Sequence, residues 1–299
     1  MIALTIDCEQ WNCPLLEGKK VEENDDTSFS KRGNEVLLDL LDKYNIKATF
    51  FVTGFFAEKE LEQVKIIKKK GYEIACHGYN HYYRGNKELN MKQDIIKAKE
   101  ILENITKESV KGFRAPQLQY STKLIKILDD LGFKYDSSLA PLYLPGCYNN
   151  LGKPTKIFKP IENRNITEIP ISVSPFRLPI SWMFIRLFGI SRTIARCKKL
   201  LKKKITPVLY VHSWEFIKMK SKYVPFYYNY RTGKSFVESI EKFICEFKNI
   251  SFVTLENLIK NESKKLPYYN SCFERRKKSW KWNFRIRKIH FFSIKKLSD

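Results

Sequence analysis

Apolar runs of strand length alternate with amphipathic helical runs along most of this chain, and that alternation constrains the fold more than any other feature. Strand, helix and strand in succession bury both faces of a parallel sheet, so the pattern specifies an α/β architecture with mainly parallel strands. The residues predict strands at Ile2–Asp7, Lys47–Thr53, Tyr72–Cys76, Val110–Arg114, Phe133–Asp136, Pro207–His212 and Ile250–Thr254. Helices are expected at Gly33–Tyr44, Glu58–Lys70, Asn90–Asn104, Thr122–Leu131 and Phe236–Phe247. Gly71 and Gly132 each fall between a helix and a strand, where a residue of positive φ stops the helix.

Asp7, His77, Arg114, Asp136 and His212 all lie at or just beyond the C-terminal ends of these strands. Parallel α/β barrels place their chemistry there, so the pattern points to an enzyme. His77 and His81 carry the strongest chemical signal, because the chain has only four histidines and these two form a His-x-x-x-His pair. Imidazoles so spaced can reach one ion from a helical turn or a tight loop. In Asp7-Cys8-Glu9 the two carboxylates are two residues apart and share one face of a strand. Together these groups make a metal site beside a free acid.

Composition narrows the class. A length of 299 residues suits one large domain or two small ones, and 43% hydrophobic content describes a chain with a real core. No stretch approaches the roughly 18 apolar residues of a membrane span, and the first residues lack the basic segment of a cleaved export signal. Seven cysteines without a Cys-x-x-Cys pair suggest neither a disulfide framework nor a cysteine zinc site, so a cytoplasmic location is expected. The net charge of +23 favours a polyanionic neighbour, either nucleic acid or an anionic membrane surface. The α/β unit is expected to occupy residues 1–262. Within it, the apolar then basic segment 175–204 reads as a substrate-side insertion, an interfacial helix or a barrel helix. Residues 263–299 interleave cations with aromatics, as in Arg275-Arg276-Lys277-Lys278 and Trp280-Lys281-Trp282, and read as a tail contacting anionic lipid.

Five segments taken in order, Thr5-Ile6-Asp7-Cys8-Glu9, His77-Gly78-Tyr79-Asn80-His81, Gly112-Phe113-Arg114-Ala115-Pro116, Tyr135-Asp136-Ser137-Ser138 and Tyr210-Val211-His212-Ser213-Trp214-Glu215, carry a resemblance. From Met1 to about Thr254 the chain resembles the polysaccharide deacetylases of the NodB-homology type, carbohydrate esterase family 4. The resemblance implies a distorted (β/α) barrel and metal-dependent removal of an N-acyl group, first of all N-acetyl, from an amino-sugar glycan or glycan precursor. It implies that Glu9, His77 and His81 hold a divalent ion, zinc before cobalt, nickel or iron. Asp7 is then the general base, oriented by Arg114, and His212 the general acid that protonates the leaving amine, steadied by Asp136. A backbone N–H just after Pro116 helps hold the oxyanion, and Trp214 and Tyr79 meet the substrate.

Most family members carry adjacent aspartates in the first motif, whereas here Cys8 stands second and the carboxylate returns at Glu9. The reversed assignment, with Glu9 as base and Asp7 on the metal, therefore stays open. Cys8 and Cys76 read as packing residues. The substrate is expected to be a glycan precursor on the cytoplasmic side, including a lipid-linked sugar at the inner membrane face. Deformylation of such a sugar would be the same reaction. A non-catalytic glycan binder is a further alternative. An Fe(II) oxygenase could use two histidines and a carboxylate, but the strand–helix alternation argues against it. Nucleic-acid binding would leave the five motifs unexplained.

Overall fold

The computed structural model describes residues 1–144, 147–174, 177–262 and 266–269. In chain order the elements are β1 (Ala3–Cys8), α1 (Cys13–Leu16), α2 (Ser28–Lys43), β2 (Thr49–Val52), α3 (Gly54–Lys59), α4 (Leu61–Lys69), β3 (Glu73–Cys76), α5 (Met91–Thr106), β4 (Gly112–Phe113), α6 (Thr122–Asp130) and β5 (Tyr135–Asp136). A small antiparallel hairpin, β6 (Tyr143–Leu144) and β7 (Tyr148–Asn149), precedes β8 (Thr167–Glu168), α7 (Trp182–Phe188), α8 (Ile190–Lys202) and β9 (Val208–His212). The described chain continues through α9 (Phe226–Asn229), α10 (Lys234–Glu246) and α11 (Leu255–Glu262).

Seven strands form one curled sheet in the order β8-β5-β4-β3-β2-β1-β9, and every neighbouring pair is parallel. This is the half-barrel form of the expected (β/α) fold. Its two edges approach each other where the Ser172 N–H donates to the Val208 carbonyl at 3.0 Å. Strand alternation divides the core. Ile2, Leu4 and Ile6 of β1 join Phe50, Ile74 and the helical residues Leu37, Leu41, Ile240 and Phe243 in the main cluster. Ala3, Phe51, Ala75 and Tyr135 point the other way and meet Leu255 and Leu258 of α11. Each fully buried Leu or Ile contributes roughly 1.5–3 kcal/mol relative to exposure, which is why the amphipathic spacing of α2 and α10 fixes the face they present.

Two expectations are corrected, and one of three alternatives for a further segment is favoured. Glu58–Lys70 is not one helix: Glu60 takes φ −121° and ψ 43°, ending α3, and α4 starts at Leu61. Thr53 sets the start of α3 by accepting from the Phe56 N–H at 3.2 Å. Ile250–Thr254 does not form a ladder strand but a single parallel bridge between Ile2 and Phe252. Segment 175–204 contains α7 and α8, and Ile185, Ile190, Ile194 and Cys197 bury themselves in the main core, so part of it is a helical layer of the fold. Of the basic aromatic tail, 263–265 and 270–299 lie outside the described residues; within 266–269, Lys159 donates to the Pro267 carbonyl and Tyr269 to the Lys159 carbonyl.

Candidate active site

Register brings the strand-end groups together. Asp7 of β1 is the Cα partner of His212 of β9, and Asp136 of β5 is the partner of Glu168 of β8. His77 and Arg114 each follow directly after the paired residues Cys76 and Phe113. A cavity of about 330 Å³ opens over this end of the sheet, with Asp7, Glu9, His77, His81, His212 and Trp214 in its wall.

Asp7 and Arg114 form a buried ion pair at 2.6 Å. The guanidinium is fixed from every side: Nη1 also donates to Thr5 Oγ1, Nε to the Ser137 carbonyl and Nη2 to Ser137 Oγ. Its carbon lies 4.1 Å from the Phe51 ring centre and 5.5 Å from that of Tyr210. A charge-assisted pair so restrained holds Asp7 in one orientation.

Glu9, His77 and His81 form the one group of three or more such side chains among the described residues able to hold a metal, their ligand atoms all within 4.8 Å of one another. The histidines reach this point from a loop, not a helix. Asp94 of α5 closes that loop by accepting from the Tyr79 and Asn80 N–H groups. Gly78 takes φ +69°, and a Cβ there would sit 2.6 Å from the Tyr83 hydroxyl. His77 Nδ1 lies 2.7 Å from the Arg114 carbonyl, and His81 Nδ1 lies 2.9 Å from Asn12 Oδ1. Both partners are acceptors, so each Nδ1 carries the proton and each Nε2 keeps its lone pair for the interior.

Glu9 Oε2 is 2.7 Å from His81 Nε2 and 3.4 Å from His77 Nε2. Yet Glu9 Oε2 and His77 Nε2 are buried without a hydrogen bond. Orphaned acceptors of this kind are costly unless something positive sits between them. The donor set and its unsatisfied atoms therefore fit a divalent cation. Burial pushes the Glu9 carboxyl up, but His81, His212 and His77 outweigh it and hold it well below the usual range. Trp214 Nε1 donates to Glu9 Oε1 at 3.2 Å, and Ser30 Oγ donates to the Glu9 carbonyl at 2.5 Å.

His212 faces this cluster with Nε2 4.0 Å from Glu9 Oε1. Its Nδ1 lies 3.3 Å from Glu215 Oε2, and its own N–H donates to the same oxygen. Glu215 is fully buried and pairs through Oε1 with Arg186 Nε at 2.7 Å; Arg186 Nη1 then donates to the carbonyls of Tyr227, Tyr228 and Tyr230. Trp214 stacks on the imidazole at 5.1 Å and Trp182 meets it edge-on at 4.9 Å. Burial lowers the His212 pKa, but Glu9 and Glu215 more than offset it and the net shift is upward. This turn depends on Gly33 of α2, where a Cβ would lie 1.9 Å from the Ser213 carbonyl oxygen.

Three expected positions differ. Asp136 does not touch His212: its carboxylate accepts from Ser138 Oγ at 2.6 Å and lies beside Glu168, outside the cavity wall. The register that pairs β5 with β8 carries it away from β9, and Glu215 occupies the place assigned to it. Tyr79 points outward, donating to Glu58 and lying under Lys97. Pro116 does not line the cavity, whereas Gln117 and Leu118 do, both at φ near +55°. Cys8 accepts from Asn34 Nδ2, and its thiol is pushed up to about 12 by burial, as suits a packing residue. The residues whose parts were missed from sequence are Asn12, Trp182, Arg186 and Glu215. Only Glu215, three residues from His212 at the start of a turn, had a local signal.

A curled parallel sheet with a carboxylate–histidine cluster at its C-terminal end defines an α/β protein with a candidate metal site. Residues 24–135 match the family model of polysaccharide deacetylase, and residues 137–260 match a domain of unknown function, DUF3473. The match to polysaccharide deacetylase thus covers 24–135, somewhat over a third of the chain. It is 35% identical over 104 residues to the peptidoglycan deacetylase of Helicobacter pylori, covering 34% of this chain and 36% of that protein. It is 33% identical over 99 residues to a peptidoglycan-N-acetylglucosamine deacetylase of Bacillus cereus, covering 33% of this chain and 46% of that one. The matched segment thus spans less than half the length of these relatives. A Mycobacterium smegmatis structure assigned as a polysaccharide deacetylase superposes with a TM-score of 0.65 at 20% identity, over 90% of this chain and 92% of that one. A family 4 acetyl xylan esterase from Clostridium thermocellum, in complex with cobalt, gives 0.50 at 16% identity over 91% and 98%.

Proposed function

We propose that this protein is a metal-dependent N-deacetylase of amino-sugar glycans or their precursors. The observation that carries the reading is the convergence on one cavity of a three-donor cluster, a carboxylate clamped by arginine and a histidine backed by a buried carboxylate. Glu9, His77 and His81 would hold the cation, which supplies Lewis acidity toward the acyl carbonyl and toward water. One carboxylate and two imidazoles suit zinc, and also cobalt, nickel or iron.

Asp7 accepts the proton of the attacking water, because Arg114 holds it out of the cluster that Glu9 joins. That division supports Asp7 as base over the reversed assignment. His212 presents Nε2 to the cavity and donates its proton to the departing amine, with Glu215 fixing the ring through Nδ1. The N–H of Gln117, the residue after Pro116, is our candidate donor to the oxyanion. Trp214 and Trp182 wall the space for the sugar and its acyl group. Formyl in place of acetyl would need no different residue. We place the reaction in the cytoplasm, since the six described cysteines are all free.

The test is acetate or formate release from N-acylated amino-sugar oligomers, UDP-linked sugars and lipid-linked sugars by metal-reconstituted protein. Release that both Asp7→Asn and His77→Ala lose is the expected result. No release from any substrate by protein holding stoichiometric metal, or release that survives both substitutions, overturns the reading.

A further inference from the structure

A second and larger cavity, of about 570 Å³, adjoins the catalytic one. The two share Leu118, Leu144, Tyr148, Trp182, Met183 and Tyr210, so Trp182, which meets His212, separates two compartments of one space. The larger compartment is walled by apolar side chains of the β6–β7 hairpin and α7, and its volume is that of a small-molecule site. Tyr143, Leu144, Leu178 and Phe188 in its wall remain 55%, 38%, 45% and 50% exposed, which leaves a greasy opening to solvent.

The rim is cationic. Arg177, Arg192 and Arg196 line the cavity, and Arg177 and Arg196 also line a neighbouring hollow shared with Lys199, Lys202 and Lys203. Among the described residues none of these six forms an ion pair with a carboxylate, and Arg196 Nη1 is buried without a hydrogen bond. Arg196 instead lies over the Phe184 ring at 4.2 Å. An apolar compartment opening on unneutralised guanidinium groups is complementary to a hydrocarbon chain that carries an anionic group.

We propose that this cavity binds the prenyl phosphate portion of a lipid-linked amino sugar, with the N-acyl sugar reaching past Trp182 to His212. The inference rests on the deacetylase reading for the sugar, but the binding site stands on its own geometry. Arg177 and Arg196 take the phosphate, and the walls of α7 and the hairpin take the prenyl chain.

The test separates binding from catalysis. Farnesyl phosphate is titrated by calorimetry into the full chain carrying Asp7→Asn, with farnesol and inorganic phosphate as controls. Saturable one-to-one binding of farnesyl phosphate, at least tenfold tighter than farnesol, is expected. Leu187→Asp and, separately, Arg196→Gln should each weaken it tenfold or more, and in an otherwise unmodified chain each should leave acetate release from a water-soluble amino-sugar oligomer within twofold. Release from the soluble oligomer with no farnesyl phosphate binding overturns the lipid site alone; binding without release from any substrate overturns the deacetylase reading alone. Faster release of octanoyl than acetyl groups, lost in Leu187→Asp, would assign the cavity to the N-acyl chain and overturn the proposal. Binding only to anionic vesicles, with no saturable binding of the monomer, would overturn it as well.

Discussion

The two halves of the sheet build the site by different means. Up to residue 135, the groups are placed at strand ends and on one loop capped by Asp94, with the histidine Nδ1 atoms tied to the Arg114 carbonyl and to Asn12. Beyond it, the proposed acid His212 is held by Glu215 and Arg186, and Arg186 is anchored by three carbonyls from residues 227–230. On the reading proposed above, the first half fixes donor atoms for an ion, and the second fixes a proton donor and shapes the space beside it. A cation can thus be retained by one half while the acid is tuned by the other, and the two should be separable by mutation.

The largest expected effect is at the junction. Asp7→Asn removes the base and should lower kcat/KM by roughly 10²–10⁴-fold while metal stoichiometry is kept, measured by acetate release and elemental analysis. Metal loss in Asp7→Asn would instead place Asp7 among the ligands and break the division. Next, Glu215→Gln should lower kcat by roughly 10–10²-fold with metal affinity unchanged. Glu215 is one of the charges that raise the His212 pKa, so its removal should move the alkaline limb of the pH–rate profile toward lower pH. An unmoved limb would show that His212 is not the titrating acid.

The counterpart in the first half is Asn12→Ala, which frees the His81 ring. It should weaken metal binding roughly 10–100-fold, followed by competition with a chelator, and leave the pH profile in place. A smaller effect is expected in the stability of the second half. Burial pushes the Asp136 carboxyl up from 3.8 to about 6, and burial together with Asp136 pushes Glu168 up as well. The raised folded value makes the contribution of Asp136 complete below about pH 4 and lost as pH rises through about 6, and Glu168 acts in the same direction. Urea unfolding should show that loss, on the order of 1–3 kcal/mol, and Asp136→Asn should flatten it. Smallest of all, Cys8→Ala should leave metal stoichiometry unchanged.

The halves also differ in how much their sequence discloses. Strand alternation put Asp7 and Glu9 on one face, and the His-x-x-x-His spacing named two more donors, because local geometry carries those contacts. Arg186 reaches Glu215 across 29 positions from inside a segment whose apolar pattern fits several roles, so no local signal marks it. Asp136 illustrates the converse: its motif position suggested a partnership with His212, and the strand order placed it beside Glu168 instead. The split of the Glu58–Lys70 helix at Glu60 was similarly hidden, since helical periodicity continues on both sides.

The pairing of β1 with β9 has a consequence for birth as well as function. Thr5 Oγ1 donates to the Leu209 carbonyl across 204 positions of chain. At roughly 5–20 residues per second, a ribosome needs on the order of ten to forty seconds to deliver that partner. Through that interval β1, the strand bearing Asp7, lacks its β9 neighbour, so Glu9, His77 and His81 are all synthesised long before His212 can join them.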